Sequence, residues 1–134
     1  MLQLFQKYIY IEDDLTETFA LDYHTAMSPT GSYPRTASGD LVYRAKPYHR
    51  PVKPSNHAKA SELAEHFLTF IRTHPSYNRS DVVIPVPPSR ADKVFDLPSE
   101  LVKKIAVELG ILDGSSLVQK MRSTKPMKDC TTHQ

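Results

Sequence analysis

The chain has 134 residues, 40% apolar and 24% charged, the balance of a folded globular domain rather than a disordered or fibrous chain. Its 17 basic and 15 acidic side chains leave a formal net charge of only +2, so no whole-molecule field holds nucleic acid or an anionic membrane, and any anion site must be local. The single cysteine, Cys130, cannot close an internal disulfide, no Cys/His set has zinc-site spacing, and neither a signal peptide nor an apolar run near the roughly 20 residues of a membrane span is present, so a cytoplasmic location is expected.

Residues 2–10 alternate loosely through Leu4, Tyr8 and Tyr10 and predict a strand, ended by Glu12-Asp13-Asp14. A second extended stretch over residues 16–24 places Phe19, Leu21 and Tyr23 on one face, and the two predict an antiparallel ribbon within residues 1–27. Residues 28–55 shift to Pro, Gly, Ser and basic side chains, broken by Leu41-Val42-Tyr43, and read as a loop or lid region with room for one helical turn. The third segment, residues 56–134, carries the regular pattern. Its first helix spans residues 56–74, where Ala60, Leu63, Ala64, Phe67, Leu68 and Ile71 share a face, with Ser55 as the expected N-cap and Pro75 as the stop.

Asp81-Val82-Val83-Ile84 is a continuous apolar run of the kind found in a strand buried on both faces of a parallel sheet. A helix over residues 97–109 follows, capped by Asp96, admitting Pro98 in its first turn and closed by Gly110 in the left-handed conformation. Ile111-Leu112 and Leu117-Val118 offer a further short strand. Strand, loop, helix and strand in this order predict an α/β fold with a partly parallel sheet and flanking helices.

Chemistry concentrates in residues 81–96, where the strand ends at Pro85 and a loop stiffened by Pro87 and Pro88 presents Ser89, Arg90 and Lys93 before the helix. Ligands of open α/β sheets bind at the carboxyl ends of strands. A hydroxyl and two cations there suit a phosphate or pyrophosphate, Arg90 through bidentate hydrogen bonds and Lys93 as a point charge. The alternative is that the prolines only rigidify a turn and the cations are solvated.

The pieces Pro85-Val86-Pro87-Pro88-Ser89-Arg90, Lys93-Val94-Phe95-Asp96-Leu97 and Gln119-Lys120-Met121-Arg122-Ser123-Thr124-Lys125-Pro126, with Gly39-Asp40-Leu41-Val42-Tyr43-Arg44-Ala45-Lys46 upstream, together resemble ComF-type members of the type I phosphoribosyltransferase family over residues 39–127. That resemblance implies an incomplete phosphoribosyltransferase-like fold and a reaction in which ribose 5-phosphate moves between 5-phosphoribosyl 1-pyrophosphate and a nitrogen nucleophile, with Mg²⁺ bridging the pyrophosphate. It places Pro87, Pro88, Ser89 and Arg90 at the pyrophosphate and Lys93 on the mobile loop that covers it, with Arg90 and Lys93 as the catalytic cations and Lys120 and Arg122 as further anion contacts. The expected partners are phosphoribosyl pyrophosphate or a nucleotide, and a second copy or a complementing chain.

The family's loop arginine and glycine are Lys93 and Val94 here, and Met127 replaces the glutamine that follows its Thr-x-Pro. Its phosphoribosyl motif, two acidic residues followed by Thr-Thr-Gly, does not occur; Asp129-Cys130-Thr131-Thr132 lacks the glycine and the supporting strand. The expectation is a chain cut before that motif and inactive alone. Two other readings compete: a non-catalytic phosphate-binding or scaffold protein of the same fold, and a nucleic-acid-handling accessory protein using the basic and aromatic side chains of residues 43–53. The six histidines are scattered without metal-pair spacing and read as surface residues.

Overall fold

A computed structural model describes residues 8–15, 17–48, 50–88, 90 and 92–123. Two short strands come first, β1 (Ile9–Ile11) and β2 (Thr18–Ala20), paired antiparallel with Tyr10 opposite Phe19. Their rings meet edge-on at a centroid separation of 5.5 Å, the kind of cross-strand pair that fixes register in a ribbon this short. The predicted ribbon is therefore present; residues 2–7 of its first predicted strand lie outside the described residues.

Three helices form the body: α1 (Ala37–Ala45), α2 (Pro54–Thr73) and α3 (Leu97–Leu109). The first of them corrects the loop reading of residues 28–55. Ser38, Gly39, Val42 and Tyr43 give α1 poor intrinsic propensity, yet packing overrides it: Leu41 and Ala45 are buried in a core shared with α2 and α3. Thr36 caps α1, its Oγ1 accepting from the Gly39 N–H at 3.0 Å. Gly39 is required by close approach, because a Cβ there would stand 1.9 Å from the carbonyl oxygen of His24.

The 3.6-residue stripe of α2 is buried as predicted, with Leu63, Ala64 and Leu68 at its centre. Complete burial of one leucine such as Leu68 stabilises by roughly 1.5–3 kcal/mol. The helix begins two residues earlier than expected, with Lys53 rather than Ser55 at the cap position. Pro54 favours that start, since a proline at the first helical position lacks only an N–H that would have no intrahelical partner. Helix α3 begins and ends where its sequence predicts: Asp96 accepts from the Ser99 N–H at 3.2 Å, and Gly110 closes it at φ 65°.

The remaining strands, β3 (Val82–Val83) and β4 (Leu112–Asp113), pair in parallel with α3 between them in the chain. The strand buried on both faces is not found: Val82 and Val83 are half-buried and Ile84 is exposed. Among the described residues this sheet has two strands, with α3 packed against both and the outward side of Leu112 open. Leu117-Val118 is a turn rather than a strand, with the Leu117 N–H donating to the Gly114 carbonyl at 3.0 Å. The architecture is thus mixed α/β, with three helices and two small sheets among the described residues, one antiparallel and one parallel. No helix among them is long and apolar enough to cross a membrane.

Candidate functional site

The loop over residues 85–96 leaves the carboxyl end of β3 and runs into α3. Two buried residues hold its ends, Pro85 at the start and Phe95 before the helix, where Phe95 meets the His57 ring edge-on at 5.4 Å. Between these anchors Val86, Arg90, Asp92, Lys93 and Val94 are exposed, and Val94 shows 96% of its surface. Pro87 and Pro88 are half-buried at the base of the loop; Ser89 lies outside the described residues.

Arg90 projects its guanidinium onto Asp92 in a fork, Nε to Oδ1 at 3.2 Å and Nη2 to Oδ2 at 3.0 Å. The hydrogen bonds and charge of this fork push Arg90 above its ordinary range and hold the Asp92 carboxyl below its own. Both side chains are exposed, so solvent screens the pair. Lys93 reaches Asp96 at 3.7 Å, and Asp96 also accepts from the Ser99 hydroxyl at 2.8 Å. The start of α3 therefore already carries a carboxylate, and an anion on this loop would meet side-chain cations rather than the helix N-terminus. Lys120 is half-buried and Arg122 exposed, and neither makes an ion pair with a described residue.

Two cavities lie elsewhere. The larger, about 700 Å³, is an apolar hollow walled by α1, α2, α3 and β3, with Val42, Phe67, Leu101 and Ile105 among its lining. The smaller, about 480 Å³, lies between the end of α1 and the start of α2 and is lined by Arg44, Lys46, Arg50 and Lys53 with Tyr43 and Tyr48. Neither lining includes Arg90, Lys93, Lys120 or Arg122. Sequence reasoning grouped the basic side chains of the smaller cavity as a stretch of chain. It missed that a helix end and a helix start bring them around one space, for which the prolines at 47, 51 and 54 are the visible signal.

No group of three His, Cys, Asp or Glu side chains able to hold a metal ion occurs among the described residues. The two described carboxylates of the loop, Asp92 and Asp96, are engaged by Arg90 and by Ser99. No protein-family model, curated protein or solved structure matches the chain.

Proposed function

We propose that this chain carries a phosphoribosyltransferase-type domain, and that residues 85–93 bind the pyrophosphate of 5-phosphoribosyl 1-pyrophosphate. The supporting observation is positional: a proline-stiffened loop carrying Arg90 and Lys93 leaves a strand that is paired in parallel with the strand after α3. That is where ligands of open α/β sheets bind. The reaction class is transfer of ribose 5-phosphate to or from a nitrogen nucleophile, in which fixed cations stabilise the departing pyrophosphate. Arg90 acts by exchanging partners. Its exposed pair with Asp92 is weak in water, and a pyrophosphate brings more negative charge to the same fork.

A second reading, a non-catalytic phosphate-binding or scaffold domain of the same architecture, is favoured by the guanidinium being turned onto Asp92 and by the exposed Val94 in place of a glycine. Titration with phosphoribosyl pyrophosphate and Mg²⁺, beside Arg90→Ala, separates binding from its absence. Saturable binding that Arg90→Ala weakens supports the loop as the pyrophosphate site, and equal binding by the two proteins removes Arg90 from it.

A further inference from the structure

We propose a second anion site, distinct from the loop over residues 85–93, in which the cavity between the end of α1 and the start of α2 holds the phosphate chain of a nucleoside polyphosphate and Tyr48 stacks on its base. This inference is independent of the phosphoribosyltransferase reading and stands or falls without it.

The charge pattern is the first argument. Four cations line the cavity and no carboxylate does. Arg44 is engaged by Asp40 at 2.6 Å, whereas Lys46, Arg50 and Lys53 make no ion pair with any described residue. Elsewhere on the described surface Lys59, Lys103 and Lys104 find acidic partners, and Lys120 and Arg122, which do not, line neither cavity. Three unpaired cations around one hollow repel one another unless an anion shares the space. The positive end of α2 faces the same region and adds to the attraction.

The second argument is rigidity. Pro47, Pro51 and Pro54 restrict the connecting chain. Asn56 locks its two ends, accepting from the Lys53 N–H at 2.8 Å and donating to the Arg44 carbonyl at 3.1 Å. Cations carried on a fixed frame lose less entropy on binding than cations on a free loop. Tyr48 sits at φ 54°, a left-handed conformation that is unfavourable for a residue other than glycine and persists where the surroundings over-determine it.

The aromatic rings supply the third. The Arg35 guanidinium lies 3.9 Å from the Tyr43 ring centre, and the Tyr43 and Tyr48 rings meet at 5.2 Å. Tyr48 remains 57% exposed, which leaves ring surface for a base. A volume of about 480 Å³ falls in the range of small-ligand sites and is large enough for a mononucleotide.

The test is calorimetric titration of the whole chain with ATP, with inorganic tripolyphosphate and with an oligothymidylate, at about 50 mM and about 200 mM salt. Neutralising the triad as Lys46→Gln, Arg50→Gln and Lys53→Gln is expected to weaken ATP and tripolyphosphate alike by about 100-fold. Tyr48→Ala is expected to weaken ATP about tenfold and leave tripolyphosphate unchanged. The amide shifts that ATP causes at residues 43–56 are expected to persist in Arg90→Ala, which keeps this site apart from the loop. Amide chemical-shift changes confined to residues 43–56 would support the location without any substitution. Equal ATP binding by the triple variant and the parent, no binding of either phosphate probe at millimolar concentration, or an oligothymidylate that outcompetes ATP at these residues would each overturn the proposal.

Discussion

The Nδ2 of Asn56 donates to the main-chain carbonyl of Arg44 across 3.1 Å, joining the first turn of α2 to the last turn of α1. Asn56 is 7% exposed, and its Oδ1 accepts from the Lys53 N–H in the same step. One buried amide thus pairs a helix-end carbonyl and a helix-start N–H, groups that have no intrahelical partner of their own. Replacing it with alanine leaves both unsatisfied. Asn56→Ala is expected to cost about 1–3 kcal/mol in a urea unfolding experiment. A cost near zero would mean that water replaces the amide freely.

Gly39 and Gly110 make a contrasting pair. A Cβ on Gly39 would meet the backbone of His24 at 1.9 Å, and no side-chain rotation can relieve that contact. At Gly110 the same Cβ would meet nothing within 4 Å, and the only penalty is its φ of +65°. Gly39→Ala is therefore expected to lower stability by more than Gly110→Ala, about 3 kcal/mol or above against roughly 1 kcal/mol. Thermal melts of the two variants rank them directly, and the reverse order would contradict the packing of α1 against His24.

His74 fastens the N-terminal ribbon to the end of α2. Its Nδ1 accepts from the Ser76 N–H at 3.2 Å, which assigns the proton of the neutral ring to Nε2, and Nε2 faces Glu17 Oε1 at 3.4 Å. Tyr77 donates to the Glu17 carbonyl at 2.8 Å, and Phe19 and Phe70 pack their rings around the imidazole. His74→Ala is expected to loosen the ribbon before the helices. Faster amide exchange at Tyr10 and Phe19 with little change inside α3 would show this.

Acid should act on the fold in two steps. Burial holds His66 below the ordinary histidine value of 6.5, against the opposing pull of Glu62 and Glu65. The folded ring then binds its proton at lower pH than the unfolded chain, so its contribution is complete above about 6.5 and is lost as pH falls through that value and below. Asp113 is held below its ordinary 3.8 by the Ser115 hydroxyl and the Ser115 N–H, so its share is kept down to that range and lost beneath it. His66→Gln is expected to flatten the melting temperature profile between about pH 7 and pH 5 while keeping the fall below about pH 4, and Ser115→Ala to soften only the second fall.

Much of the scaffold was legible because it rests on local rules. The apolar stripe of α2, the Asp96 cap of α3 and the left-handed Gly110 follow from spacing and cap chemistry alone. Helix α1 was hidden, since Ser38 and Gly39 read as loop residues until Leu41 and Ala45 find a partner surface on α2. The valine run of β3 reads as doubly buried only if more sheet surrounds it, and Ile84 is open. The loop carrying Arg90 and Lys93 lies between β3 and α3, as its flanking apolar patterns indicate, but the sequence offered no reason to choose between a ligand and Asp92 as the partner of Arg90. The cavity beside Tyr48 depends on two helix ends meeting, which no single window of sequence contains.

The sharpest measurement is a phosphoribosyl pyrophosphate titration in which Arg90 is altered in opposite senses. Asp92→Asn removes the charge that holds the guanidinium and is expected to tighten binding about tenfold, whereas Arg90→Ala is expected to weaken it by at least that factor. Identical affinities for the parent and both variants would contradict a pyrophosphate site on this loop.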